Sequence, residues 1–130
     1  MTESIQPAGW PQPRGYSNGT IAQGRFLAVA GQVGWNERGE IVSDDFVEQA
    51  ERALRNVVAV VAAAGGTPQH VVRLTWYVTD KERYRASERA LGTAYRAVFG
   101  VHFPAMTLVE VRGLLEDRAL VEIEATAVLP

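Results

Sequence analysis

Cysteine is absent from the 130 residues. That excludes disulfides, thiolate nucleophiles and thiolate-held zinc or iron–sulfur centres in one step, and it is compatible with a reducing compartment. Histidine is scarce: His70 and His102 stand far apart in the chain, and neither forms a short His/carboxylate pair with metal spacing, so no metal site is expected. Long apolar runs are missing as well. The longest, Val57 to Ala64, falls far short of the roughly 20 residues that cross a bilayer, so no membrane partner is expected. The first residues show no basic start leading into an apolar stretch, so no signal peptide is expected and a cytoplasmic location is. Excess charge of either sign is lacking too. Thirteen Lys and Arg against 15 Asp and Glu leave a formal charge of −2, which does not suggest a dedicated nucleic-acid binder. No serine sits in a nucleophile-elbow pattern, and no glycine run matches a phosphate loop or a dinucleotide fingerprint.

What remains is an ordinary globular composition, 47% hydrophobic and 22% charged, expected to form one domain over residues 1–130. The Pro- and Gly-rich opening through Arg14-Gly15 reads as a loop. Tyr16 to Ala22 and Arg25 to Gly31 read as two strands separated by a Gln23-Gly24 turn. The clearest element is a helix capped by Ser43, Asp44 or Asp45. Phe46, Val47, Ala50, Ala53, Leu54, Val57, Val58, Val61 and Ala64 make its apolar stripe, and Glu48/Arg52 and Glu51/Arg55 pair on its wet side. Gly65-Gly66 ends it and Pro68 keeps it from resuming. Val71 to Thr79 reads as a third strand. Thr79-Asp80-Lys81-Glu82 is a capping-box pattern opening a second helix, with Tyr84, Leu91, Tyr95, Val98 and Phe99 toward the core and Gly100 as its stop. Ala105 to Val111 and Ala119 to Val128 complete the order β-β-α-β-α-β-β. Two amphipathic helices over one sheet make a two-layer α+β domain, and the other sheet face is left for oligomerisation to bury.

Two features carry possible chemistry. Glu122 and Glu124 alternate with Val121, Ile123 and Ala125, so both carboxylates share one face of the last strand. An acidic pair on such a strand either faces water or an arginine, or lines a cleft where it orients water and moves protons. The second helix carries Lys81, Arg83, Arg85, Arg89 and Arg96, a run that reads as a solvated face.

Five segments, in this order, carry a family resemblance. They are Gly15-Tyr16-Ser17-Asn18-Gly19, Ala30-Gly31-Gln32-Val33, Gln49-Ala50 with Asn56-Val57, Phe103 to Val111, and Val121 to Ala125. Together they resemble the Rid family, also called YjgF or L-PSP, over nearly the whole chain. The resemblance implies a chorismate-mutase-like fold, a homotrimer with a central β-barrel, and small-molecule clefts between subunits. It also implies cofactor-free hydrolysis of imines and enamines to keto acids and ammonia. In that reaction an Arg clamps the substrate carboxylate and a Glu on the last strand positions water. Carried over by position, Tyr16 matches the cleft tyrosine, Gly31 the cleft glycine and Glu122 the water-positioning Glu, while Ala30 replaces a common Ser.

The departure is at position 106. The deaminating pattern Phe-Pro-Ala-Arg here reads Phe103-Pro104-Ala105-Met106, and Leu108 stands where Cys is common. Met106 and Leu108 share a strand face and should both look into the cleft. A thioether offers neither charge nor donor, so it cannot replace a guanidinium. Either the ligand is more apolar, with Tyr16, Trp35 and Met106 giving contact area, or another arginine holds the carboxylate, with Arg73 and Arg112 the candidates. Trp35 reads as a rim or trimer-contact residue. The competing function is a non-catalytic trimer that binds a small metabolite; RNA cleavage, a label some members carry, is disfavoured by the charge and the missing histidines.

Overall fold

The computed structural model describes residues 2–130. Its elements are β1 (Glu3–Ile5), β2 (Gly19–Ile21), β3 (Arg25–Gln32), α1 (Phe46–Ala63), β4 (Val71–Val78), α2 (Lys81–Ala86), α3 (Glu88–Phe99), β5 (Ala105–Glu110) and β6 (Val121–Leu129). The main sheet runs β3-β6-β4-β5, with β6 antiparallel to both neighbours and β4 parallel to β5. Val121, Ile123, Ala125, Ala127 and Leu129 of β6 are buried, whereas the residues between them are half-buried. The buried set meets Leu74, Trp76 and Val78 of β4 and the α1 stripe Phe46, Ala50, Ala53, Leu54, Val57 and Val61. Each such Leu, Ile, Val or Phe contributes about 1.5–3 kcal/mol by leaving water. Both long helices cover this one face. The opposite face has no cover within the chain, and Phe26 stands 71% exposed on it. This is the two-layer α+β arrangement expected.

Local chemistry explains the boundaries. Asp45 caps α1 by accepting from the Glu48 amide at 2.9 Å, and Gly65, at φ +89°, lies just past the Ala64 cap. Asp80 caps α2 by accepting from the Glu82 and Arg83 amides. Four expectations need correction. The opening is not all loop: β1 pairs with β2, and the strand read at residues 16–22 shortens to Gly19–Ile21. The second helix is broken at Ser87 into α2 and α3, with Tyr84 held edge-on against Trp76. Pro68 stops α1 but opens a short 3-10 turn, Pro68–His70. Glu51 does pair with Arg55, but Arg52 turns away from Glu48 to Glu37 and to the Trp35 carbonyl.

Tyr95 gives the fold a pH signature. Its ring stacks on Phe99 and Phe103, and its hydroxyl donates to the His102 carbonyl at 2.7 Å. Burial pushes its pKa well above the ordinary value of 10.0. The folded state therefore holds this proton more tightly than the unfolded state. The contribution is whole below the unfolded value and is lost as pH climbs past it. Denaturant titrations at rising alkaline pH are expected to show falling stability above about pH 10, and Tyr95→Phe to flatten that fall.

Candidate functional site

β3 carries one extra residue between Val29 and Gln32 relative to β6, a bulge at Ala30-Gly31. Bulges bend a strand and re-aim its neighbours. Here the bulge brings the Gly31 backbone under the Glu122 carboxylate, so closely that a Cβ at position 31 would overlap Glu122 Oε2. Gly31 is thus required by space and not by a positive φ, which it does not have. The two acidic residues of β6 differ in their engagements. Glu124 Oε1 accepts from the Tyr77 hydroxyl at 2.6 Å. That bond, then burial, then the charges of Glu124 and Glu122, push the Tyr77 pKa up. Glu122 has no hydrogen-bond or ion-pair partner among the described residues. It is half-buried on the uncovered sheet face and free to act on something else.

The second part lies on the other side of the sheet. The parallel register sets Met106 beside Leu74 and Leu108 beside Trp76. Both side chains therefore belong to the helix-covered face, and both pack against the core. They share a face, as the alternation required, but it is not the face of Glu122. Leu108 is half-buried against the core and lines neither of the two hollows that Met106 borders. Met106 borders a hollow of ≈ 310 Å³ between α3 and β5, walled by Trp76, Tyr84, Leu91, Tyr95 and Phe103 and rimmed by Arg14, Glu88 and Arg96. Burial first, then the Glu88 charge, push the Tyr84 pKa up, so its hydroxyl stays protonated.

Met106 also borders a wider groove of ≈ 670 Å³ on the uncovered side, with Tyr16, Arg73, Thr107 and Thr126. Arg73 is exposed there, opposite Thr126 across the β4–β6 pair, four residues from Tyr77, which faces Glu122. Four strand steps separate Arg73 from the Glu122 position by about 13 Å. Trp35 falls elsewhere, in a shallow hollow with Gln32, Asn36, Glu37 and Arg52, away from Met106. Arg112 is exposed in the turn after β5 and lines none of these hollows. His70 Nδ1 accepts from the Thr67 amide, and His102 Nε2 lies 2.7 Å from the Val71 carbonyl, so both histidines serve the fold. Among the described residues no group of three or more His, Asp or Glu is placed to hold a metal, and no helix is long and apolar enough to cross a membrane. The rim residues Arg14 and Arg96 were missed in the sequence. Arg96 is exposed, as expected of a solvated helix face, and its guanidinium lies over Gly92 one turn earlier.

Fold and site together define a small α+β protein with one free carboxylate at a strand bulge and an aromatic hollow on the reverse of its sheet. The chain belongs to the endoribonuclease L-PSP family, whose model matches residues 10–129. A RutC family protein of Pyrococcus horikoshii is 35% identical over 128 residues, covering 98% of each chain. The 2-iminobutanoate/2-iminopropanoate deaminase of Escherichia coli is 32% identical over 131 residues, again covering 98% of each. A crystal structure of a Rid-family protein of unknown function from Yersinia pestis superposes with TM-score 0.88 at 35% identity, over 98% of both chains.

Proposed function

We propose that this protein is a cofactor-free imine or enamine deaminase whose cleft forms between copies of the chain. The observation that carries the reading is Glu122, an unpartnered carboxylate seated on the Gly31 bulge. The deaminase names of relatives at 31% and 32% identity support the reaction class.

Glu122 and the Met106 hollow occupy opposite faces of one sheet, so a single chain cannot apply both to one small ligand. A second copy can, by setting its uncovered face beside the first copy's α3–β5 edge. A homotrimer satisfies that requirement and would cover the exposed Phe26 face as well. In the reaction, a water oxygen adds to the imine carbon while Glu122 takes a water proton. Glu122 passes that proton to the nitrogen, giving a carbinolamine; it then takes the hydroxyl proton and delivers it to the amine, so that the C–N bond breaks, ammonia leaves and the oxygen stays as the carbonyl. The sum is imine plus water to keto acid plus ammonia.

The test is keto-acid and ammonia release from freshly generated imines, carboxylated and not. Glu122→Gln is expected to cost about 10²–10⁴ in rate, the range of a positioned base. Unchanged rates in this variant would overturn the mechanism. Met106, which offers no donor, favours a second reading, a trimer that only binds. Ligand-dependent thermal shifts with no turnover from the wild type would establish that reading instead.

A further inference from the structure

The hollow beside Met106 has a thioether where the family resemblance implies an arginine, yet it is not without positive charge. Arg96 lies one helical turn after Gly92 on α3, and its guanidinium folds back over that glycine. A Cβ built at Gly92 would meet Arg96 Nη1 at 3.2 Å, Nη2 at 3.7 Å and Cζ at 3.8 Å. All three distances belong to the guanidinium, so the group itself, and not only its stem, occupies the space a side chain at 92 would take. The Arg96 guanidinium has no ion-pair or hydrogen-bond partner among the described residues. Arg85, on α2, is by contrast paired with Glu82 at 2.6 Å. Arg14 reaches the same rim from the N-terminal segment, and the one carboxylate there, Glu88, leaves the balance positive.

Beneath this rim the walls are aromatic and apolar: Trp76, Tyr84, Tyr95, Phe103 and Met106. Trp76 is 4% exposed, and its Nε1 is a buried donor without an acceptor in the chain. Such a donor is costly to leave unmet, and a ligand oxygen or nitrogen within its reach would gain a hydrogen bond without displacing another. The volume of ≈ 310 Å³ is that of a small-molecule site.

We propose that Arg96 is the ligand's carboxylate contact in this protein, moved from strand β5 to helix α3, and that the hollow selects 2-imino acids with an aromatic side chain. The proposal rests on the deaminase reading for the reaction, but not for the binding. A guanidinium recognises a carboxylate through two parallel hydrogen bonds, and Met106 in place of a polar residue clears an apolar floor for a ring.

Titration calorimetry with phenylpyruvate, the stable keto-acid counterpart, tests this without turnover. The control ligand is phenylacetone, in which a methyl group replaces the carboxylate. Arg96→Gln is expected to weaken phenylpyruvate binding by about one to two orders of magnitude and to leave phenylacetone unchanged, with Arg85→Gln neutral toward both. Arg96→Lys is expected to restore only part of the loss, because an ammonium lacks the planar fork. Arg96 is exposed, so these variants keep the fold. Equal phenylpyruvate binding by wild type and Arg96→Gln would overturn the assignment. So would equal losses for both ligands, or a wild type that prefers pyruvate to phenylpyruvate. Arg96-dependent binding in a protein that hydrolyses no imine would keep this proposal and remove the deaminase reading instead.

Discussion

Gly31→Ala is expected to remove most of the imine hydrolysis while leaving the protein folded. The new methyl group would occupy the position of Glu122 Oε2. The carboxylate sits on an exposed face and its side chain is flexible, so it moves aside at small cost in stability. Its new position is wrong for the water it must orient. Displacing a reacting group by about an ångström costs on the order of 10²-fold in rate. The loss should appear in kcat, with the unfolding midpoint shifted little. A variant with unchanged kcat would show that the bulge does not place Glu122 for catalysis. A variant that fails to fold would instead make Gly31 a residue of the scaffold, and Glu122→Gln would then carry the mechanistic question alone.

Gln49→Leu is expected to strike stability rather than activity. Gln49 is fully buried in α1. Its Nε2 donates to the Ser43 carbonyl at 2.8 Å and to the Arg118 carbonyl at 3.1 Å, and its Oε1 accepts from the Leu120 amide at 2.8 Å. One side chain thus ties the approach to α1 to the approach to β6. Leucine is apolar and of similar bulk, so no cavity opens, but three backbone groups lose their partner. At about 1–3 kcal/mol for each buried group left unmet, the loss reaches roughly 3 kcal/mol or more. That is a large share of the 5–15 kcal/mol typical of a folded domain. Denaturant titration reads it directly, as a lower midpoint at constant slope; an unchanged midpoint would mean that water replaces the amide without penalty.

Both residues show how the sequence is to be read. Gln49 and Asn56 belong to the segments that carry the family resemblance, and neither lines the hollow beside Met106. Asn56 Nδ2 donates to the Val33 and Trp35 carbonyls, so both residues hold the β3–α1 connection in place. The helix α1 and strand β6 were legible because each carries its own period, one apolar stripe and one strict alternation. The β1–β2 pair was not, because three-residue strands have no period and exist only through a partner well over ten residues away. The face of Met106 and Leu108 relative to each other could be read from alternation. Their face relative to Glu122 could not, because it depends on the parallel register of β5 against β4. Arg96 was hidden for a similar reason. Its surroundings come from β5 and the N-terminal segment, and only the Gly92 step within α3 hints that its guanidinium has room to fold inward.

The strand order has a consequence for how the chain assembles. β6, the last element, lies between β3 and β4, which never touch as neighbours in the sheet. Until residues 121–129 are in place, β3 has no strand to join, and of the main sheet only the β4–β5 pair can form. The sheet closes by insertion of its final strand into the middle, with pairings that span up to about 100 residues of chain, from Arg25 to Leu129. Non-local pairing of this kind slows folding. It also leaves the flank of β4 and all of β3 open while the chain waits, edges that favour pairing with other chains. During synthesis this protein is therefore most exposed to aggregation at the end, when nearly all of its core residues have been made but the strand that organises them has not.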